Sequence, residues 1–598
     1  MIKRTILAAA LLALPAAAHA DDLTADARPA APSTMRDGDG VPDQLDADQR
    51  AGYRRVFAAI RAEQWTDAQL QLDLDEARTA PRPRTRRNLH RQEFAESRRR
   101  GDHGPARRGA RPAAGRAARA DGQGARRDGH PVLPAASRLI WFDGAPVRQR
   151  ARSIRSDTAA TSVAIEIQPF VKADDGLQAE AVVEKFALDL TPEALTEWQQ
   201  KVAWIYYVAG DDINARRVAE KAQLGVGDWV GQADWVAGLA TWRQGDCNAS
   251  AIAFERVAMR ASDTELRSAG FYWASRADMA CGRPEKVSVR LKAAAQFGET
   301  YYGLLARAAL GIQEKPVTGE RFVAEDWRAL ERRPNVHVAA ALTEIGEDGL
   351  ANEVLRHQAK FCTPGDHASL TRLAGRLNLA ATQLWLSHNG PAGAQPLIQA
   401  RYPSPNWTPA GGWRVDKALV FAHTLQESRF NAEVRSAAGA MGLMQVKTGA
   451  AIDVGRRQGV TYAASDLTKP SVNMEIGQSY LEQLRDQPFT QGLLPKVIAA
   501  YNAGPSPVAL WNTMSRDNGD PLLYIESIPY WETRGYVMTV LRNYWMYENQ
   551  EGRASASRQA LTQGLWPKFP GLPGAKAVKV SARLAPQLTA SAQVVGGN

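Results

Sequence analysis

One acidic residue in this chain is set up to keep its proton. Glu427 lies near the end of the segment Val415 to Phe430, VDKALVFAHTLQESRF, in which Val415, Ala418, Leu419, Ala422 and Leu425 recur at the three-and-four spacing of one helical face. Val420 and Phe421 make the other sides apolar as well, so the helix is expected to be buried. Glu427 then falls in the last turn, where low dielectric and the negative end of the helix dipole both disfavour a carboxylate and raise its pKa. A carboxylic acid that stays protonated near neutral pH is suited to general acid catalysis. Protonating the leaving oxygen of a glycosidic bond is a reaction that demands one.

The residues after Glu427 are small and permissive. Ser436-Ala437-Ala438-Gly439-Ala440 leads into Gly442-Leu443-Met444-Gln445, and further on stands Ala500-Tyr501-Asn502-Ala503-Gly504-Pro505. Glycines at such places let backbone approach a bulky ligand closely. Tyr524-Ile525-Glu526-Ser527-Ile528-Pro529-Tyr530 and Glu532-Thr533-Arg534-Gly535-Tyr536-Val537 follow. The plainer alternatives are a core aromatic with a satisfied hydroxyl for Tyr501 and a helix-start carboxylate for Glu526.

In this order and at these distances, the four pieces resemble the catalytic domain of the soluble lytic transglycosylases, over about Ala400 to Glu548. That resemblance implies an all-α chain in which an α-superhelical (solenoid) region precedes a lysozyme-like catalytic domain. It also implies the activity: cleavage of the bond between N-acetylmuramic acid and N-acetylglucosamine in peptidoglycan glycan strands, with formation of a 1,6-anhydro ring. By the same resemblance Glu427 is the catalytic residue. Tyr501 and Gln445 hold the reacting sugar, Met444 belongs to the same binding turn, Ser436 and Asn502 support it, and Glu526 lies near the cleavage point. Neither a metal nor an organic cofactor is implied, and the sequence has no His and Cys cluster with metal-ligand spacing.

Glycoside hydrolysis usually takes two carboxylates. Between Ser428 and Ser465 the only acids are Glu433 and Asp453, one reading as a cap or solvent-facing residue and the other as a surface helix residue. With no obvious second carboxylate, Glu427 is expected to act twice, and the resemblance implies how: as acid and then as base, with the substrate's N-acetyl group stabilising the developing cation. A lysozyme-type hydrolase using the same glutamate, and a non-catalytic glycan-binding scaffold, are the alternatives. One residue departs from the family pattern: Lys447 stands in Val446-Lys447-Thr448, where an apolar side chain usually follows the Gly-Leu-Met-Gln turn.

The rest of the 598 residues must place these groups, and 44% hydrophobic with 23% charged residues describes an ordinary globular chain of several domains. Residues 1–20, with Lys3 and Arg4, an apolar run from Ile6 to Leu14 and Ala18-His19-Ala20, read as a secretory signal peptide. The expected location is the periplasm, with no transmembrane segment. Residues 21–81 are expected to begin a helical superhelix that resumes over 156–400. Around Gly210, Gly245 and Gly282 a helix, a glycine turn and an Ala-rich helix recur at roughly 35-residue spacing, the mark of stacked hairpins. Cys247 and Cys281 sit at similar places in successive hairpins, so they are expected to lie about 10 Å apart and, like Cys362, to be free. The Pro- and Gly-rich stretch Arg401 to Trp413 opens the catalytic domain, assigned to 401–560, and 561–598 reads as a flexible tail.

The net charge of +10 is local. Residues 82–155 hold 20 Arg, no Lys and six acidic residues, a net +14 that leaves the remainder acidic. Interleaved stacking aromatics are nearly absent, which excludes a nucleic-acid partner. A basic arm for anionic lipid or wall polymer is one reading. Arg, Ala, Gly and Pro without Lys is also what GC-rich coding sequence gives out of frame, and this reading is favoured. The whole segment is expected to stay disordered and unpacked.

Overall fold

A computed structural model describes residues 40–79, 136–313 and 321–580. These fall into two compact units, one of 40–79, 136–138 and 331–362, the other of 139–313, 321–330 and 363–580. The leader 1–20, residues 80–135 and the last residues of the tail, 581–598, lie outside the described residues. Among those described, secondary structure is helical apart from two short antiparallel pairs, Leu139–Trp141 with Asn389–Pro391 and Trp566–Pro567 with Ala577–Val578.

In the first unit, helices Ala47–Arg61 and Trp65–Thr79 form a hairpin that meets Pro334–Ile345 and Asp348–Gln358. Asp46 starts the hairpin with a capping box: its carboxylate accepts from Gln49 N while the Gln49 side chain accepts from Asp46 N. Glu344 ties the two pairs together, accepting from Gln44 N at 2.6 Å and Arg50 Nε at 2.8 Å. Residues 331–362 therefore belong with the N-terminal hairpin, not with the continuous 156–400 stretch the sequence suggested.

In the second unit the expected hairpins stack. Pro192–Ala209 with Asp212–Gln223, Trp229–Arg243 with Cys247–Arg260, and Thr264–Ala280 with Pro284–Ala295 each turn at a left-handed glycine, Gly210, Gly245 and Gly282. Asp211 and Asp246 follow the first two glycines and cap the next helix through Asn214 N and Ala249 N. A column of rings fills the stack: Trp235, Phe254 and Trp273 lie within 5.1 to 6.2 Å of one another, and Tyr272 packs on Tyr302. Tyr301 then stacks on Trp545 at 5.1 Å, joining the last hairpin to helix Trp531–Gln550 of the region that carries Glu427.

Three further expectations are corrected. Cys247 and Cys281 form a disulfide, with Cα atoms 5.6 Å apart. They are not equivalent points of two repeats: Cys247 opens the helix after its glycine turn, whereas Cys281 ends the helix before one. The two helices pack antiparallel, so the start of one meets the end of the other, within disulfide reach. Cys362 is buried and takes no part in that bridge.

Residues 136–155, assigned to the unpacked Arg-rich segment, are built into the fold. Phe142 is buried, Trp229 Nε1 donates to Arg152 O, and Ile154 N donates to Glu197. Arg148 is enclosed, ion-paired with Glu526 at 2.6 Å and lying over Trp235 at 4.7 Å. Composition counted these arginines as charges without partners, but the guanidinium stacks on rings supplied by distant helices. The tail is likewise packed as far as 580: Trp566 and Phe569 are buried, and Phe569 N donates to Gly492 O.

Candidate functional site

Glu427 stands in the last turn of the helix Lys417–Ser428, whose residues Ala418 to Thr424 are all buried. Asp416 caps the helix through Ala418 N and also accepts from Tyr544 and Arg553, so its start is pinned to helix Trp531–Gln550 and the turn after it. The helix stops because Arg429 and Phe430 take left-handed backbone angles, φ 52° and 63°, with the Phe430 ring buried. Glu427 is partly buried, and desolvation lifts its carboxyl to about 7 against the hydrogen bond that Tyr536 donates to Oε1 at 2.5 Å. The acid thus holds its proton up to neutral pH.

The glycine-rich turn is folded by its own small residues. Ser436 N donates to Ala440 O, the Ser436 hydroxyl accepts from Ala440 N, and Met441 bridges to Arg435 and Val446. Gly442, at φ 75°, has no room for a side chain: a Cβ would come within 2.2 Å of Leu467 O. Asn473, fully buried, clamps the turn, accepting from Met444 N at 2.8 Å and donating to Met441 O and Leu467 O. The Met444 side chain is enclosed against Gly477, so this residue acts through its backbone. Gln445, at φ 47°, has its side-chain amide tied to Gly442 O and Val434 O.

Helix Leu494–Ala503 brings up Tyr501 and Asn502. The Tyr501 hydroxyl donates to Met444 O at 2.8 Å, and Glu427 is close enough to oppose its ionisation. The ring packs on His423 and Tyr480 and the hydroxyl is satisfied, as the core-aromatic reading has it, and that hydroxyl also joins the glycine turn to the helix that carries Tyr501. Asn502 Oδ1 accepts from Thr533 at 2.6 Å, linking two of the four motifs. Ser436 lies exposed on the rim. The structure thus brings Glu427, Gln445, Met444, Tyr501 and Asn502 together, with Ser436 at the edge of the same turn.

Glu526 does not join them. It is fully buried, paired with Arg148 and accepting from Tyr302 at 2.7 Å, so it cannot face a substrate. Its neighbour Ser527 accepts from Arg243 and bonds Tyr207. This motif fastens the Glu427-bearing region to the stacked hairpins. The apolar run Leu522, Leu523, Tyr524, Ile525 around Glu526 was the sequence signal for an enclosed position.

Two groups escaped the sequence reading. Glu433 and Asp453 are exposed, as expected, but the carboxylate whose charge Glu427 feels is Glu532, over 100 positions away and exposed in the first turn of helix Trp531–Gln550. Glu532 lies well past Ser465, outside the stretch of chain that follows Glu427 directly. The other is His423, one turn before Glu427, buried, with Nδ1 2.9 Å from the Tyr536 hydroxyl. A lone histidine in an otherwise apolar helical run, four residues before the acid, was the available signal. Lys447 is exposed at the start of helix Thr448–Gln458.

Residues 408–522 match the family described as Transglycosylase SLT domain. The soluble lytic murein transglycosylase of Salmonella typhimurium is 29% identical over 297 residues, 48% of this chain and 44% of that protein. That of Escherichia coli K12 is 37% identical over 132 residues, 22% of this chain and 20% of it. The solved 70 kDa soluble lytic transglycosylase from Escherichia coli shares the fold with a TM-score of 0.54 at 22% identity, covering 69% of this chain and 64% of that one. An inactive mutant of lytic transglycosylase Slt from Pseudomonas aeruginosa does so at 0.52 and 20%, covering 68% and 65%. The chain thus spans less than half the length of these curated relatives.

Proposed function

We propose that this chain, which carries a transglycosylase SLT domain over residues 408–522, is a lytic transglycosylase acting on peptidoglycan glycan strands. The observation that carries the proposal is Glu427, a carboxyl lifted to about 7 beside the Tyr501 hydroxyl and the Gly442 turn. Glu427 gives its proton to the oxygen between N-acetylmuramic acid and N-acetylglucosamine as that bond breaks. The N-acetyl group of the muramic acid stabilises the cation left at C1. The Glu427 carboxylate then takes the proton of the muramic acid 6-hydroxyl, whose oxygen closes on C1. Glu427 ends protonated again, and no water is consumed. Gln445, Asn502 and the rim serine Ser436 hold the sugar. The leader-like residues 1–20 support a periplasmic location, where this substrate lies. Among the described residues, no helix is long and apolar enough to cross a membrane.

Glu532 supports a second reading, a hydrolase in which that carboxylate activates water. One experiment separates the two. Purified peptidoglycan is digested and the muropeptides are weighed by mass spectrometry: 1,6-anhydromuramic ends are expected, and reducing ends as the main product would establish the hydrolase.

A further inference from the structure

Nothing in the proposed reaction uses His423. It is fully buried, Nδ1 lies 2.9 Å from the Tyr536 hydroxyl, and Nε2 has no hydrogen-bond partner. Its ring sits between two tyrosines, 4.7 Å from Tyr501 and 5.8 Å from Tyr536 by centroid. A buried imidazole with one nitrogen unsatisfied costs stability, so a core filler would serve better there if packing were its only task.

With Glu427 Oε1 as the acceptor, the hydrogen bonds assign the state of His423. A tyrosine hydroxyl has one proton, and Tyr536 gives it to Glu427 Oε1. The bond at 2.9 Å must then run the other way, His423 Nδ1–H donating to the Tyr536 oxygen. Nε2 is left as the unprotonated nitrogen, and it is the one without a partner. A protonated ring would instead bury an N–H with no acceptor, and burial holds the imidazole neutral, its pKa near 3. The spacing makes this possible: His423 and Glu427 are four apart on one helix, so both reach the same hydroxyl from helix Trp531–Gln550.

We propose that His423 is a positioning residue that acts on Glu427 through Tyr536, as a one-directional chain of donors from Nδ1 to the hydroxyl to Oε1. The chain holds Oε1 as an acceptor in both states of the acid, so the transferable proton is carried on Oε2. It strengthens Tyr536 as a donor when Glu427 is ionised and so favours the base that the second half of the reaction needs. The other groups acting on Glu427 are Glu532, which opposes its ionisation, and Tyr501, neutral and itself next to Tyr480. The catalytic part of this inference rests on the transglycosylase reading; the hydrogen-bond chain itself does not.

The test begins without substrate. In protein carrying 15N-labelled histidine and 13C-carboxyl glutamate, His423 is expected to show Nδ1 protonated and Nε2 unprotonated from pH 5 to 8. His423→Leu should raise the Glu427 titration midpoint by about half a unit or more, and His423→Asn, which keeps a donor near Nδ1, should bring it back. Tyr536→Phe should raise the midpoint too, and adding His423→Leu to it should change nothing further. An Nε2-protonated ring overturns the proposal. So does an equal Glu427 midpoint in wild type and His423→Leu, or additive shifts in the double variant. With peptidoglycan, His423→Leu should lower kcat more than it changes KM and move the alkaline limb of the kcat profile upward, with His423→Asn restoring both. If the wild type releases no anhydro ends while the titrations behave as described, the substrate reading falls and the hydrogen-bond chain stands.

Discussion

At the scale of single residues, the chemistry turns on whether a carboxyl keeps its proton. In the proposed reaction Glu427 is neutral when it acts first, so turnover should fall about tenfold per pH unit above roughly 7, its pKa in the fold. Glu427→Gln should abolish turnover; activity within about tenfold of wild type, a barrier change near 1.4 kcal/mol, would move the acid elsewhere. The same substitution makes a thermodynamic prediction. A carboxyl raised from 4.5 to about 7 costs nothing extra below pH 4.5 and its full penalty above pH 7. Urea unfolding should therefore show Glu427→Gln gaining stability relative to wild type as pH rises through that window. Tyr501→Phe should lower kcat more than it raises KM, since the ring stays packed while the hydroxyl's bond to Met444 O is lost. Equal kinetics would return Tyr501 to a packing role.

At the scale of elements, the Gly442 turn is held by one side chain from another helix. Asn473→Ala removes three hydrogen bonds to Met444 N, Met441 O and Leu467 O and leaves those groups buried, so it should cost roughly 2 to 4 kcal/mol in urea unfolding. Binding to glycan should weaken with it, because Met444 O and Gln445 belong to the same turn. A variant that unfolds like wild type would mean the turn holds its shape unaided. The helix Lys417–Ser428 shows how local signals and tertiary ones divide. Its apolar spacing and its position for Glu427 were legible, whereas its pinning through Asp416 to Tyr544 and Arg553 joins residues more than 120 positions apart.

At the scale of the whole molecule, the Glu427-bearing region is held to the stacked hairpins through Glu526. Arg148→Ala would leave that carboxylate enclosed without its cation, at a cost of about 3 to 5 kcal/mol. Thermal unfolding should drop accordingly, while a stable Arg148→Ala protein would mean the pair is dispensable. Arg148, on a strand of chain that composition marked as unpacked, should also resist trypsin in the native protein. The Cys247–Cys281 bridge closes a separation of 34 residues, for which chain entropy predicts roughly 3 to 4 kcal/mol, checked by unfolding with and without reductant.

The sequence by itself determined what depends on neighbours along the chain: the amphipathic hairpins with their glycine turns, the buried helix ending at an acid, and the small residues of the Gly442 turn. Those features follow from helical periodicity and backbone freedom, which span a few residues. Only the tertiary structure decided which distant groups face one another. It set Glu532 into the surroundings of Glu427, gave His423 the Tyr536 hydroxyl as its partner, and turned Glu526 from a substrate-facing candidate into the partner of Arg148. It paired two cysteines that repeat spacing had kept apart. In each case the deciding quantity was an electrostatic or covalent contact across 30 to nearly 400 positions of chain, and no local pattern records which residues will meet.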